Sequence, residues 1–514
     1  MQQNIRPGTP VKPILRIDEN QIQFLHDASL SILDNPGITC FSPDAAQRLN
    51  RAGCKVLPIK NGTQAWQIRF PPKVIAKGLE TAPTRIVLGA RKPENTLLLD
   101  AFLPSVYFGT GSEANIYLET DMAEFVRKDD PSFVLSHPVF SQKRGTVRLL
   151  CQSAKLCNQL DNLDFFIRNV NIQDDQITPD NKDVNVFLAS LMYMTKHVQA
   201  GLTNLKRLDD VVKLAELVAG GPEKLKENPI ISFITCLIKS PLQMVEDTTE
   251  KLIAIAEKGL PVVISSSPQG GSTAPIQEEG MVALINAEIL AGITLTQVVN
   301  PGTPVLYGAV PVRARLDTLH DLYGAPEFIH YNIDCIQMAR HYGIPCYSTA
   351  GAGDAKVPGL QATVEKLFAQ LYVASAGAHY IHYAFGLLDK TNVFSPLQAV
   401  LDDAHIGIVR QILRQPKFNR EETETALEEI RKVSGSKTKL FARHIRKWIK
   451  KGMVSPPYPF ECGEEEDSVM EKAYIRLQEI LKGSDEKLTD DLIQKIHKKI
   501  PGLLPAQHFE LEEK

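Results

Sequence analysis

One stretch near the middle of the chain, PVVISSSPQGGSTAPIQEEGMVALINAEILAGITLTQVVNPGTPVLYGAV (residues 261–310), predicts a complete strand, helix and strand. The runs PVVISSSPQ (261–269) and PVLYGAV (304–310) are short and apolar, as strands buried on both faces are. Between them, MVALINAEILAGI (281–293) has the apolar spacing of a helix. A strand, a crossover helix and a second strand in this order are typical of a parallel sheet.

The same alternation extends outward in both directions, from about residue 100 to residue 390. Helical stretches such as DDVVKLAELVAGG (209–221) and MVEDTTEKLIAIAEKG (244–259) separate short apolar runs. The eight runs are SVYFGTG (105–111), DFFIRNVNI (164–172), HVQAGLTNL (197–205), IISFITCLI (230–238), PVVISSSPQ (261–269), PVLYGAV (304–310), PCYSTAGAG (345–353) and AHYIHYAFGLL (378–388). Eight consecutive, evenly spaced units predict an α/β fold, a (β/α)8 TIM barrel. An open doubly wound sheet is the alternative, but such sheets rarely need eight units in series.

Both ends of the chain predict additions to this barrel. The helix pattern IDENQIQFLHDASLSILDNPG (17–37) and the strand pattern QAWQIRFPP (64–72) are typical of a mixed α/β lead-in. The last hundred or so residues are charged and have helical periodicity. We therefore predict an N-terminal α/β lead-in (1–100) packed on the barrel, the barrel itself (101–415) and a C-terminal helical extension (416–514).

The bulk composition is that of an ordinary globular protein. The chain has 514 residues, 43% of them hydrophobic, and a net charge of −3, which gives no nucleic-acid signature. No secretory signal precedes the first helix, and no window approaches the roughly 18 apolar residues of a membrane span. The eight cysteines are scattered without a C-x-x-C pair, which predicts free thiols in the cytoplasm and no metal site.

The first apolar run ends in Gly109-Thr110-Gly111-Ser112-Glu113-Ala114, which fits the G-x-G-x-x-A dinucleotide fingerprint. That fingerprint needs an amphipathic helix directly after the glycines and an acidic residue about 20 positions further on. Here the polar segment VRKDDPSFVLSHPVFSQKRG follows, which we interpret as a loop or excursion. The sequence therefore disfavours a nucleotide site at these glycines.

In a (β/α)8 barrel the active site lies at the carboxyl ends of the strands. The corresponding residues here are rich in glycine, small hydroxyls, amides and aromatic rings, which suits a cationic or neutral ligand held by ring faces. Because side chains alternate along a strand, only one of Tyr107 and Phe108 can face the interior. His382 on an apolar strand is equally compatible with a structural role, and Asp354 with a helix cap.

Several stretches together resemble the trimethylamine methyltransferase family, the MttB-like corrinoid-dependent methyltransferases. They are Gly271-Ser272-Thr273-Ala274-Pro275, Asn286-Ala287-Glu288, Asn300-Pro301-Gly302-Thr303-Pro304-Val305, Gly351 to Lys356, and VYFGTGSEANIYLETD at the first strand. The resemblance covers roughly residues 15 to 510. It implies a TIM barrel that moves a methyl group from an amine to Co(I) of a separate corrinoid protein.

Founding members of that family carry pyrrolysine, whereas this chain has only standard residues. The resemblance is therefore to the branch without pyrrolysine, which includes glycine betaine methyltransferase and acts on quaternary amines. A quaternary ammonium loses methyl as a neutral tertiary amine, so its demethylation needs positioning more than acid–base help.

On this basis we assign expected roles to the strand-end residues. Tyr107, Phe108, Tyr307, Tyr383 and Phe385 are expected to form an aromatic cage, with Ser348 and Arg313 (or Arg315) on a substrate carboxylate. His382 and Asp354 are the expected catalytic residues, and Gly109, Gly111 and Gly351 are expected to border the cofactor.

The cobalamin (corrinoid) cofactor is expected on a cognate corrinoid protein, not on this chain. The segment Asp403-Ala404-His405-Ile406-Gly407 approximates the D-x-H-x-x-G corrinoid motif, but its spacing is one residue short and it lies in a predicted helix. The basic stretch KTKLFARHIRKWIKK (437–451) fits a solvated helix better than a partner contact. A homo-oligomer is expected. The alternatives are a lyase or aldolase that uses Lys356 or Asp354, and a non-catalytic barrel that binds quaternary amines.

Overall fold

The computed structural model describes residues 5–59, 64–126, 129, 134–416, 418–441, 445–450, 454–461 and 468–511. The N-terminal elements are β1 (Thr9–Pro10), α1 (Glu19–Asp34), β2 (Ile38–Cys40), α2 (Pro43–Arg51), β3 (Lys55–Pro58), β4 (Trp66–Arg69), α3 (Pro72–Thr81), β5 (Arg85–Leu88) and β6 (Leu97–Asp100). The next are β7 (Ser105–Phe108), β8 (Ile116–Val126), β9 (Val134–Arg144), α4 (Val147–Asn158), β10 (Phe165–Ile167), α5 (Lys182–Tyr193), β11 (His197–Ala200), α6 (Leu208–Ala219), α7 (Pro222–Glu227) and β12 (Ile231–Thr235).

The chain continues with β13 (Ile238–Lys239), β14 (Gln243–Met244), α8 (Glu246–Glu257), β15 (Val262–Ser266), β16 (Gln269–Gly270), α9 (Glu278–Val299), β17 (Val305–Ala309), β18 (Val312–Ala314), β19 (Asp321–Leu322) and α10 (Pro326–His341). It then forms β20 (Cys346–Thr349), α11 (Leu360–Ser375), β21 (Tyr380–His382), β22 (Leu387–Leu388), β23 (Val393–Phe394) and α12 (Pro396–Leu413). The last described helices are α13 (Arg420–Ser434), α14 (Ile445–Lys450), α15 (Val469–Lys482) and α16 (Asp490–Lys499).

A curled nine-stranded sheet is the centre of the molecule, in the order β1-β7-β21-β20-β17-β15-β12-β11-β10. All but β1 run parallel, and each parallel strand lies within one of the eight apolar runs predicted from the sequence. Isolated parallel bridges also join Gly109 to Phe165 and Ala114 to Val170, between the residues that follow β7 and those of β10. The fold class is therefore mixed α/β, built on a curled parallel sheet.

The hairpin β5–β6 covers the end of the sheet at which the parallel strands begin. Apolar side chains of the hairpin pack with those that face the inside of the sheet: Ile86, Leu88, Leu97 and Leu99 with Tyr107, Phe165, Ile167, Val263, Leu306, Val310, Tyr347 and Tyr380. The imidazole of His197, the first residue of β11, bonds the Gly89 carbonyl, and His379, just before β21, bonds the Asp100 carbonyl. We call this end of the sheet's interior, the one covered by the β5–β6 hairpin, the hairpin end.

The long, apolar helix α9 lies inside the protein. By length and composition Glu278–Val299 could cross a membrane, but 89% of its most apolar window is buried in this fold. Its neighbours are α1, α3 and α10 on one side and β15 and β17 on the other. An apolar character on every face is what a helix enclosed between a sheet and other helices requires.

Two sequence predictions need correction. The segment after the first strand is not a loop, because β8 and β9 form a long antiparallel hairpin across it, paired from Ile116↔Arg144 to Val126↔Val134. The predicted helix 281–293 is longer, since α9 starts at Glu278 and ends at Val299. The basic segment 437–451, predicted as a solvated helix, is described at residues 437–441 and 445–450. The second of these ranges forms α14, and residues 442–444 and 451 lie outside the described residues.

The C-terminal helices pack on the sheet's outer helices. α15 contacts α12, α4 and the hairpin strand β9, and α16 contacts α6. The division into a lead-in (1–100), a central part (101–415) and an extension (416–514) stays a prediction.

Candidate functional site

Five rings stand in line inside the curled sheet. Phe165 and Tyr380 are stacked with centroids 3.4 Å apart, and Tyr380 lies 5.7 Å from Tyr347. Tyr347 stacks on the His382 imidazole at 4.1 Å, and His382 lies 3.8 Å from Tyr383. The first four rings are buried, whereas Tyr383 is partly exposed. The series therefore carries an aromatic surface from the interior to the carboxyl ends of the strands.

The backbone holds Tyr383 in an unusual conformation. Its φ is +68°, in the left-handed region that bulky residues rarely adopt. A Cβ at Gly111 would lie 2.4 Å from a Tyr383 ring carbon, so only glycine leaves room for this ring. Strained residues of this kind cluster where a side chain must be held in a particular place. The strain makes Tyr383 the leading candidate for ligand contact.

His382 contributes an uncharged imidazole below Tyr383. Its Nε2 is 2.7 Å from the Thr349 hydroxyl, and its Nδ1 is buried with no hydrogen-bond partner among the described residues. Burial lowers the pKa of His382 well below its ordinary value, so the ring is neutral near pH 7. A neutral ring does not repel a cation that sits on the adjacent tyrosine.

A cysteine lies beside these rings. The Cys236 thiol follows β12 and is 3.3 Å from the Ser265 hydroxyl of β15. It is exposed, whereas the other described cysteines are buried. Burial raises the pKa of the Cys236 thiol. Burial also raises the pKa of Tyr347 and Tyr383, and Cys236 adds to that rise. Cys236 is thus a solvent-accessible residue at the carboxyl end of β12.

Charged residues lie at the carboxyl ends of β10 and β11. Arg168 follows β10, and its Nη2 donates to Glu113 at 2.5 Å. The Lys182 ammonium is 2.6 Å from the other oxygen of the same carboxylate. A Cβ at Gly201 would lie 3.6 Å from both terminal nitrogens of Arg168, so the guanidinium lies over the end of β11. We call the strand-end residues Gly111, Arg168, Gly201, Cys236, Ser267 and Tyr383 the mouth.

Three residues expected in the aromatic cage have side chains directed elsewhere. Phe108, Tyr307 and Phe385 belong to the core between the sheet and its helices. The Tyr307 hydroxyl donates to Asn286 of α9 at 2.8 Å, and the guanidinium of Arg410 in α12 lies 5.5 Å from the Phe108 ring. The alternation of side chains along β7 and β17 directs Phe108 and Tyr307 outward, and Phe385 lies in the loop after β21, so the structure does not bring these three rings to Tyr383.

Tyr107 faces the interior at the hairpin end and not at the mouth, where Tyr383 lies. Its hydroxyl donates to the carbonyls of Arg6 and Leu98, at 3.2 and 3.3 Å. Both acceptors belong to the hairpin end. The structure therefore separates Tyr107 from Tyr383, although the sequence grouped them.

The remaining predicted polar residues have structural partners. The Ser348 hydroxyl donates to Asn332 of α10, outside the sheet, and Arg313 lies on β18 with Glu327 at 3.7 Å. Asp354 accepts from the backbone N–H groups of Tyr323 and Gly324 at 3.1 and 2.8 Å, which fixes a loop. Lys356 is exposed.

The three glycines expected at a cofactor are explained by packing. A Cβ at Gly109 would lie 2.2 Å from the Phe165 ring, and the Gly111 position is limited by Tyr383. Gly351 has φ of +98°, and a Cβ there would meet Ala384 and Gln370 at 2.9 Å. The Gly-x-Gly motif therefore makes room for aromatic rings, which accounts for it without a nucleotide.

Sequence reasoning did not single out Tyr347, Cys236 or Arg168. Tyr347 could have been found from the alternation of β20, since it shares a face with Thr349 and not with Ser348. Arg168 and Cys236 each directly follow a strand, which marks them as strand-end residues in the sequence. The residues that they approach belong to other strands, distant in sequence, so the sequence alone does not group them.

In the described part of the chain, the side chains that could bind a metal are dispersed. Among the described residues, no group of three or more His, Cys, Asp and Glu side chains is placed to hold an ion. The motif-like segment that contains His405 lies within α12, as predicted, and His405 Nε2 is 3.3 Å from the Tyr458 hydroxyl.

Comparisons with known proteins agree on one family. The family described as trimethylamine methyltransferase (MTTB) matches residues 2–450. Glycine betaine methyltransferase of Desulfitobacterium hafniense (strain Y51) is 27% identical over 472 residues, covering 90% of this chain and 92% of that protein. Trimethylamine methyltransferase MttB1 of Methanosarcina acetivorans is 28% identical over 434 residues (84% and 82%). Trimethylamine methyltransferase MttB of Desulfitobacterium hafniense (strain DSM 10664 / DCB-2) is 26% identical over 395 residues (76% and 74%).

Proposed function

Because the chain belongs to the trimethylamine methyltransferase family, we propose that it moves a methyl group from a quaternary amine of betaine type to the corrinoid of a separate protein. The single observation that carries this proposal is the series of rings that ends at Tyr383. A partly exposed aromatic ring beside a neutral imidazole can attract a permanent cation through its π face. Relatives of this chain include one named for glycine betaine and several named for trimethylamine.

We infer that the eight parallel strands close into a (β/α)8 barrel with the site at its carboxyl ends. The bridges Gly109–Phe165 and Ala114–Val170 support closure between the first and second parallel strands. In such barrels the end at which strands start serves stability and the other end carries the chemistry. The hairpin β5–β6 at one end and the mouth at the other agree with that division.

In this proposal the chain's residues bind and orient the substrate. Tyr383 holds the ammonium against its ring face, and His382 and Tyr347 support that ring from below. Cleavage of the carbon–nitrogen bond leaves its electron pair on nitrogen, so the product is a neutral tertiary amine and no proton has to be supplied. The neutral His382 agrees with chemistry that needs no general acid.

The corrinoid, held by its carrier protein, supplies the nucleophile that accepts the methyl group. The residues of this chain that face it are those of the mouth, and positioning is their main contribution. A cognate corrinoid protein, self-association and a cytoplasmic location are parts of the proposal.

No contact among the described residues supports the alternative of a lyase or aldolase that uses Lys356 or Asp354. Lys356 is exposed, and Asp354 accepts hydrogen bonds from two backbone N–H groups of a loop. A non-catalytic barrel would share the aromatic site, so it differs from our proposal only in the reaction.

The test is a panel of quaternary amines incubated with the full chain and reduced cobalamin, with methylcobalamin formation followed in the visible spectrum. We expect methylation with at least one betaine and none without enzyme. Binding of betaines without methyl transfer, including in the presence of a reduced cognate corrinoid protein, would favour the non-catalytic barrel.

A further inference from the structure

Charged side chains of both signs are present around the mouth. Burial raises the pKa of the Tyr383 phenol, and the carboxylate of Asp321, which accepts from Gln269, adds to that rise. On the side of β10 and β11 are the guanidinium of Arg168 and the ammonium of Lys182. The mouth is therefore bordered by one carboxylate and two cationic side chains.

The positive side is only partly neutralised. Arg168 and Lys182 share the single carboxylate of Glu113, so the three groups together carry one positive charge. Only the Nη2 atom of Arg168 donates to Glu113, and no side-chain hydrogen bond from its Nη1 or Nε is present among the described residues. The Arg168 side chain is 15% exposed, which leaves it accessible from the mouth.

The Arg168 guanidinium lies over the interior of the curled sheet. Gly201 alternates with His197, whose side chain faces the interior, and a Cβ at Gly201 would lie 3.6 Å from both terminal nitrogens of Arg168. Burial raises the pKa of the Tyr347 phenol, and the charge of Arg168 opposes part of that rise. Tyr347 is the ring on which His382 stacks. A small molecule between Arg168 and Tyr383 would thus have a cation donor at one end and a π face at the other.

We propose that Arg168 binds the carboxylate of a zwitterionic substrate while Tyr383 holds its methylated ammonium. This inference rests on the proposed function and names the residue that sets its specificity. A purely cationic amine would gain the same ring contact but would meet the net positive charge of Arg168, Lys182 and Glu113 together. A zwitterion offers its carboxylate to Arg168 and its methylated ammonium to Tyr383.

The geometry favours Arg168 over the arginines expected from the sequence. Arg313 belongs to the separate sheet β16-β18-β19 and is near Glu327. Arg315 is half-exposed and pairs with Asp317 two residues away in the same loop. Neither is linked to the aromatic series by a described contact.

The inference is tested with two probes that share a trimethylammonium group, glycine betaine and choline, of which only the first has a carboxylate. We expect the wild-type chain to bind glycine betaine about tenfold or more tightly than choline by calorimetry, as a charge-assisted hydrogen bond allows. Arg168→Gln should lose this preference through weaker binding of glycine betaine, with choline binding unchanged or tighter. Arg168→Lys should retain part of it, and the control Arg315→Gln all of it.

The possible results separate the inference from the function. If methyl transfer occurs from either probe, but Arg168→Gln weakens both probes equally or the wild type shows no preference for the carboxylate, the inference alone is wrong. If the wild type neither binds nor demethylates any quaternary amine, the proposed function is wrong and the inference is lost with it. Circular dichroism on each variant excludes a loss of fold as the cause.

Discussion

The two ends of the curled sheet hold their buried histidines in opposite ways. At the hairpin end, His197 has partners on both ring nitrogens, Gly89 and Ser232, and so does His379. At the mouth, His382 has one buried nitrogen without a described partner and Tyr383 has a left-handed backbone. Satisfied groups stabilise a fold, while unsatisfied or strained ones cost stability and persist where function needs them.

This difference associates the hairpin end with stability and the mouth with ligand binding. Substitutions at the hairpin end should change the free energy of unfolding and leave the chemistry of the folded fraction unchanged. Substitutions at the mouth should change binding and methyl transfer with little loss of stability. Substitutions at four residues test this division between the two ends.

The largest effect is expected from Asp164, just before β10. Its buried carboxylate accepts from Arg6, Arg410 and the Phe108 backbone N–H, at 2.5, 2.7 and 2.7 Å. Asp164→Ala removes the carboxylate that two guanidinium groups share, leaves them only backbone carbonyls as hydrogen-bond partners among the described residues, and should lower the free energy of unfolding by roughly 3 kcal/mol or more. Denaturant unfolding measures this, with Asp317→Ala at an exposed pair as the control that should not change. An Asp164→Ala protein as stable as the wild type would contradict the assignment of this end to stability.

At the mouth, Tyr383→Ala should slow methyl transfer by about 30-fold, the equivalent of about 2 kcal/mol for a cation on an aromatic face. Tyr383→Phe retains the ring and should retain most of the rate. Tyr372→Ala on the outer helix α11, where the ring is half-exposed, is the matched control. The division fails here if Tyr383→Ala transfers methyl at the wild-type rate, or if Tyr383→Phe is as slow as the alanine variant.

A smaller effect, about tenfold, is expected for His382→Ala, because His382 supports the Tyr383 ring without donating a proton. His320→Ala, at an exposed position, is its control. Because burial lowers the pKa of His382 well below its ordinary value, the ring stays deprotonated as pH rises from about 6 to 8, and the wild-type binding of glycine betaine should not titrate in that range. A transition near pH 6.5 that disappears in His382→Ala would show that the imidazole is protonated in function.

The smallest effect concerns Cys236, whose exposed thiol borders the aromatic series. A bound betaine should slow its alkylation by iodoacetamide a few-fold, by covering the recess, as mass spectrometry of the modified peptide would show. Cys236→Ser removes the signal and should change methyl transfer less than the other mouth substitutions do, since no bond to this thiol is made in the reaction. Unchanged alkylation at saturating betaine would place the ligand away from the mouth.

The sequence was sufficient for the architecture of the sheet. Each parallel strand is buried on both faces and reads as a short apolar run, so periodicity located all eight. It missed the hairpin β8–β9, because the polar second half of that segment, with residues such as Ser136 and Lys143, has the composition of a loop. Strand pairing there comes from the partner strand, which local composition does not reveal.

The candidate site was harder to predict, because it depends on which side of a strand a residue faces. Tyr307 and Ser348 are at the expected depth along β17 and β20, yet their side chains contact α9 and α10. The neighbouring residue Tyr347, one position away, faces the interior instead. A shift of one residue exchanges the two faces of a strand, and only the pairing register settles it.

The most direct test of the account is a crystal structure of the full chain with glycine betaine. We predict the trimethylammonium group within about 6 Å of the centre of the Tyr383 ring, with the carboxylate on the side of Arg168. A ligand bound only in the 530 Å³ cavity beside Arg16 and Asp334, or in the 800 Å³ groove beside Asp403, would contradict the claim that the mouth is the substrate site.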